Sequence, residues 1–115
     1  MEGLTIQEAA ETTGWSPRML RYLETVGLIE PPRSGAGYRI YGAGELQRLR
    51  TLRDLLDQHD LGPGDVAFAK RMRTEPELEE AVTGWLATKP ARPDEVEATD
   101  WLAYEQQKHQ RLLTA

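Results

Sequence analysis

Ser16-Pro17-Arg18-Met19-Leu20-Arg21-Tyr22-Leu23-Glu24, with Gly27-Leu28-Ile29 and Gly37-Tyr38-Arg39-Ile40-Tyr41 behind it, is the stretch from which the rest of this chain is read. Serine at an N-cap and proline at the first helical position start a helix at a defined residue. At 100° per residue, Met19, Leu20, Leu23 and Val26 share one arc, and Arg18, Arg21, Tyr22 and Thr25 face the other way. An apolar back with an Arg/Tyr front suits an anionic, hydrogen-bonding partner. Arg33 and Arg39 flank a glycine-rich turn soon after, a second cationic element that points to duplex DNA rather than to a merely solvated face.

Working outward, Thr5-Ile6-Gln7-Glu8 is a capping box that opens a first helix over about residues 6–12, with Ile6, Ala9 and Ala10 inward. Thr13-Gly14-Trp15 forms the turn, so two short helices meet around a central glycine as in a helix-turn-helix. Val26-Gly27 closes the second helix. Leu28 to Tyr41, alternating around Ser34-Gly35-Ala36-Gly37, predicts a small β-hairpin, a wing. Gly44 to Leu56 predicts a helix with Leu46, Leu49, Leu52, Leu55 and Leu56 on its core side but no good N-cap. Gly62-Pro63-Gly64-Asp65 opens a fourth helix to about Arg73. Thr74-Glu75-Pro76-Glu77 predicts a capping box for a fifth, with Leu78, Val82, Trp85 and Leu86 inward. Lys89-Pro90-Ala91-Arg92-Pro93 is a stiff linker, and Asp94 with Glu97 caps a final helix to about Leu113.

The net charge of −5 is unevenly spread. Residues 1–73 hold ten Lys/Arg and ten Asp/Glu; residues 74–115 hold four and nine; within 15–53 seven arginines face three glutamates. A phosphate backbone responds to the local face and not to the whole-chain balance. Cysteine is absent, which excludes a disulfide framework, a thiolate metal site and a cysteine nucleophile. His59 and His109 are lone and are expected at the surface, so no metal site and no cofactor is assigned. No Ser/His/Asp grouping, P-loop or dinucleotide motif suggests an enzyme. No membrane span or leader is legible, and the protein is expected in the cytoplasm. Trp85, Trp101 and Tyr104 are expected to attach the last helices to the body rather than to line a ligand site.

Leu20-Arg21-Tyr22-x-Glu24, Gly27-Leu28, Pro31, Gly37-Tyr38-Arg39-x-Tyr41 and Arg48-Leu49, in this order and spacing, resemble the MerR family of bacterial transcription regulators over about residues 4–73. The resemblance implies a mostly α, winged helix-turn-helix DNA-binding domain (1–73). Beyond it typical members carry one long helix that pairs with its twin, whereas this chain reads as an additional helix (74–89), a linker (90–93) and a C-terminal helix (94–115), the element the sequence offers for dimerisation. The resemblance further implies that Ser16, Pro17 and Arg18 enter the major groove, Arg18 reading bases. Arg21 and Tyr22 would grip phosphates, and Arg33, Tyr38, Arg39 and Tyr41 would hold the backbone from the wing. Double-stranded DNA, a second copy of the chain and RNA polymerase are the implied partners. Where the family usually has a second tyrosine this chain has Leu23, on the arc expected to be buried. Two other readings stay open at this level: an excisionase-like or architectural DNA-bending protein, and a protein-interaction module docking a polymerase subunit or partner regulator through residues 74–115.

Overall fold

A computed structural model describes residues 3–62 and 67–114. The described residues form α1 (Ile6–Thr13), α2 (Pro17–Thr25), α3 (Ala43–Gln58), α4 (Phe68–Thr74), α5 (Pro76–Ala87), a single 3-10 turn (Ala98–Asp100) and α6 (Trp101–Thr114). The opening expected at Gly62-Pro63-Gly64-Asp65 falls mostly outside the described residues.

The two locally encoded helix starts form as expected. Thr5 Oγ1 accepts from the Glu8 amide at 3.2 Å, and the Glu8 carboxylate accepts from the Thr5 amide at 2.9 Å. Ser16 Oγ accepts from the Met19 amide at 3.0 Å, with Pro17 at the first helical position. Gly14, between α1 and α2, has φ +80°, a backbone region that side chains other than glycine rarely adopt. α3 starts at Gly42-Ala43 with no side-chain cap, matching its weak sequence signal.

The core is laid on α3. Leu46, Leu49, Leu52 and Leu56 are wholly buried, together with Leu20 and Leu23 from α2 and Leu78 from α5, while Trp15 is 1% exposed. Trp15, which the sequence places only in a turn, is an anchor: its Nε1 donates to the Leu49 carbonyl at 3.3 Å. Leu23 takes its buried place as expected. Two apolar residues do not, Val26 and Leu86 being 47% and 43% exposed. Each lies at the end of its helix, past the stripe the body covers.

Two helix starts differ from expectation. Thr74 does not cap α5; it ends α4, its hydroxyl donating to the Lys70 carbonyl at 3.1 Å. Glu75 becomes the N-cap position without a side-chain bond, Pro76 follows at the first turn, and the Glu75 carboxylate is held by Arg71. The last helix begins at Trp101 and not near Asp94. The Arg92 guanidinium donates to the Val96 carbonyl, the acceptor that an α-helix would assign to the Asp100 amide. That amide bonds Glu97 instead, at 2.9 Å, giving a 3-10 turn first.

α6 packs against α3 and α1. Its polar middle, which shows no heptad seam, lies against the body through Glu105 and His109, one turn apart and wholly buried. Arg50 donates to Glu105 Oε1 through Nε at 3.2 Å and Nη2 at 3.0 Å, and Trp101 Nε1 donates to Oε2 at 3.1 Å. Gln47 pairs with the Ala91 backbone in both directions, at 2.7 and 2.8 Å, and so ties down the linker. Trp85 Nε1 donates to Thr51 Oγ1 at 2.8 Å and its ring carries the Arg48 guanidinium at 4.1 Å. The Trp85 indole thus attaches α5 to α3, as expected, while the Trp101 bond stays within α6 and orients the Glu105 carboxylate that Arg50 holds.

His109, expected at the surface, has no exposure at all. Its Nε2 lies 2.6 Å from the Leu46 carbonyl, which can only accept, so the neutral ring carries its proton on Nε2 and leaves Nδ1 a bare acceptor. Nδ1 has no partner among the described residues. Protonation would bury an unpaired N–H. Burial pushes the His109 pKa below the ordinary histidine value, Arg50 and Arg53 push the same way, and the Leu46 carbonyl and Glu105 oppose them. The unfolded chain therefore binds a proton near pH 6.5 that the folded chain resists. Stability is complete above that pH and declines as pH falls below it. Urea unfolding at pH 7.5 and pH 5.5 is expected to show a loss on acidification that His109→Gln largely abolishes. An equal loss in both proteins would contradict the buried neutral ring.

Candidate nucleic-acid interface

The capped start of α2 fixes the rotation of a nine-residue helix whose Met19, Leu20 and Leu23 are buried. Arg18, Arg21 and Thr25 are left exposed on the other side, where the Thr25 hydroxyl donates to the Arg21 carbonyl at 2.9 Å. Ser16 is exposed and Pro17 half-buried beside them. Tyr22 is half-buried, its ring meeting Phe68 of α4 edge-on at 6.3 Å and 89°. It stands at the margin of the α2 face and not at its centre.

The segment after Ile29 returns beside α2, but the expected β-hairpin contains no strand among the described residues. It is a turn closed by one antiparallel bridge, Arg33 with Arg39. The Gly37 amide donates to the Ser34 carbonyl at 2.9 Å, the Ser34 amide to Tyr38 at 2.8 Å, and the Ile40 amide to Pro32 at 2.8 Å. Pro31 and Pro32 have no amide hydrogen to extend the ladder, so pairing stops there. Tyr41 pairs with Leu4 instead, through two bonds of 2.8 Å, which fastens the loop to the entry of α1. Gly37 takes φ +88° at the tip, and Tyr38 beside it is 73% exposed.

Glu24 joins loop to helix. Arg39 Nε donates to its Oε1 at 2.7 Å, and Arg33 Nη2 reaches Oε2 at 3.2 Å and Oε1 at 3.3 Å. Arg33 Nη1 also donates to the Gly37 carbonyl at 3.3 Å, bracing the turn from inside. The sequence offers Glu24 only as a motif position, and its role was missed. The signal available was an acid on the last turn of an otherwise basic helix.

The site residues therefore separate. Arg18, Arg21, Arg33, Tyr38 and Arg39 lie on α2 and the loop joined to it by Glu24. Tyr41, expected among the DNA-facing residues, is wholly buried and belongs to the core. Its hydroxyl has no partner among the described residues, and burial raises the phenol pKa above its ordinary value against the opposing pull of Arg39. The arginine excess of residues 15–53 also shrinks. Arg48 donates to the Thr88 carbonyl at 2.6 Å, Arg50 pairs with Glu105, and Arg53 donates to the Thr13 carbonyl at 3.3 Å. Those three serve the fold.

Because the Tyr41 hydroxyl is buried and unpaired, Tyr41→Phe is expected to keep duplex affinity and to leave stability unchanged or raise it by about 1 kcal/mol. Thermal unfolding together with binding at fixed salt checks this. Lost affinity in an equally stable protein would return Tyr41 to the interface.

Residues 4–68 match the family described as MerR HTH family regulatory protein. The chain is 45% identical over 49 residues to the HTH-type transcriptional regulator HmrR of Rhizobium leguminosarum bv. viciae, covering 43% of this chain and 38% of that protein. It is 42% identical over 55 residues to heavy metal-dependent transcription regulator 2 of Rhizobium meliloti, covering 47% and 37%. A probable heavy metal-dependent transcriptional regulator of Haemophilus influenzae is 45% identical over 51 residues, covering 44% and 40%. The matched part thus spans about two-fifths of the length of these curated relatives. No solved structure matches. With the matched segment running from the entry of α1 to the start of α4, across more than half of the residues, the chain belongs to the MerR HTH family, whose members are transcription regulators and not enzymes.

Proposed function

We propose that this protein is a sequence-specific, winged helix-turn-helix transcriptional regulator that binds a promoter operator through α2 and the 30–41 loop, the loop acting as the wing. The supporting observation is the exposed Arg18/Arg21 face of α2, set beside a loop whose own arginines are anchored to the same helix by Glu24. Arg18, near the N-terminus of α2, enters the major groove and reads a base edge, with Ser16 and Pro17 alongside. Arg21 and Tyr22 hold one stretch of backbone; Arg33, Tyr38 and Arg39 hold another from the loop. Only Nε of Arg39 is engaged by Glu24, which leaves its Nη atoms for a phosphate. Control then acts in the cytoplasm through deformation of promoter DNA, with RNA polymerase as the downstream partner.

The heavy-metal dependence in the relatives' names is said of those proteins. The sequence has no cysteine to supply a soft-metal site. Among the described residues no group of three His, Asp or Glu side chains is placed to hold a metal.

Phosphate and base contacts respond differently to mutation. Arg21→Ala and Arg39→Ala are expected to weaken binding to all duplexes alike, each lowering the slope of log K against log salt by about one. Arg18→Ala is expected to relax sequence preference, at a cost of about 1–3 kcal/mol on the operator. Titrations over a salt series separate the two. Normal operator binding by Arg21→Ala at moderate salt would remove α2 from the interface.

The proposal includes a homodimer, since one short recognition helix makes few phosphate contacts and two copies spaced along the duplex multiply them. α6 buries Glu105 and His109 within its own chain. The side it offers a second copy is the outward one, with Ala103, Gln107 and Arg111 exposed. Sedimentation of the full chain is expected to give a dimer at tens of micromolar, and a monomer there would overturn this part.

A further inference from the structure

Glu24 is the sole acid of α2, and it sits between the two loop arginines that the proposed DNA face needs. The two hold it unequally. Arg39 binds through Nε at 2.7 Å, with 26% of its side chain exposed. Arg33 binds through Nη2 alone at 3.2 and 3.3 Å, with 48% of its side chain exposed. Charge-assisted N–H···O bonds run at about 2.7–2.9 Å. The Arg39 pair is therefore a tight one, and the Arg33 pair is long, half-exposed and weak. A carboxylate bridged by two guanidinium groups occupies the place that a phosphate oxygen would take between them.

We infer that Glu24 is a resident stand-in for a DNA phosphate: on a matching duplex Arg33 leaves Glu24 for a backbone phosphate, while Arg39 keeps Glu24 and holds the loop to α2. The inference rests on the reading of α2 and the loop as the DNA face. Its consequence is discrimination. A duplex that brings a phosphate within reach of Arg33 gains a contact in exchange for a weak one. A duplex of another shape leaves the pair closed and meets the Glu24 carboxylate, whose charge repels the backbone. Glu24 thus raises the threshold for non-matching DNA without touching a base.

The full chain is titrated over a salt series with two duplexes of equal length, one recovered by selection from a randomised pool and one unselected. Glu24→Gln keeps the side-chain shape and an acceptor oxygen but removes the charge, and circular dichroism checks that it folds. It is expected to bind the unselected duplex about tenfold tighter and the selected one with a smaller gain. Its salt slope on the unselected duplex is expected to be steeper by about 0.9. Weaker binding to both duplexes at an unchanged slope would overturn the inference and make Glu24 a staple of the loop. Arg33→Gln provides a reading that does not depend on the Glu24 variant folding. Its slope is expected to flatten by about 0.9 on the selected duplex and to stay unchanged on the unselected one. Equal flattening on both would overturn the exchange. A pool that yields no preferred duplex would overturn the regulator reading and this inference together. A preferred duplex with wild-type behaviour in Glu24→Gln would overturn the inference alone.

Discussion

Burial of the apolar side of α2 is the constraint from which the rest of the molecule follows. Nine residues are too few for a helix to persist in water by its own hydrogen bonds. α2 exists because Met19, Leu20 and Leu23 leave solvent, each contributing about 1.5–3 kcal/mol. Once those three are covered, the 3.6-residue period leaves Arg18, Arg21 and Thr25 no place but water. The Ser16 cap and the Pro17 start then settle which residue is first, and so where around the axis each arginine points. The cationic face is a consequence of the core.

Charge is distributed by the same logic. Of the seven arginines between residues 15 and 53, Arg48, Arg50 and Arg53 are taken up in binding the C-terminal elements and the helix-turn-helix turn to α3. Arg33 and Arg39 share Glu24. Only Arg18 and Arg21 stand on α2 without an acidic partner among the described residues. An acidic C-terminal third is compatible with this face because Glu105 spends its charge on Arg50 of α3 and not on the arginines of α2.

Features encoded within three or four residues were legible in the sequence. The Thr5–Glu8 box, the Ser16 cap, the glycine of the turn and the leucine face of α3 each depend on neighbours along the chain. The family resemblance, matched over residues 4–68, was legible for the same reason, its motif being a set of short spacings. What escaped lies at long range. Glu24 meets partners nine and fifteen residues away, Arg50 meets Glu105 at a separation of 55, and His109 meets Leu46 at 63. A propensity argument sees a polar run in Glu105–Arg111 and assigns it to water; the structure places two of its members in the interior because their partners were already waiting on α3. The Asp94 start failed to a competing donor, since the Arg92 guanidinium takes the Val96 carbonyl. The strands failed because Pro31 and Pro32 remove the donors that a ladder needs.

Polar burial under α6 also explains how a 14-residue helix finds one position on α3. An all-leucine face could slide by a turn at small cost, because apolar contact is not directional. Glu105 and His109 cannot. Shifting α6 by one turn would bring Trp101 or His109 to the place of Glu105 and leave Arg50 without its carboxylate, and breaking a buried pair in this way costs about 3–5 kcal/mol. It would also part His109 Nε2 from the Leu46 carbonyl. The register so fixed sets the far end of the helix, where Leu113 reaches Gly14: a Cβ added to Gly14 would stand 2.9 Å from Leu113 Cδ2. The turn between α1 and α2 needs glycine for its φ, whereas the Leu113 methyl is the far end of a half-exposed side chain that can turn aside.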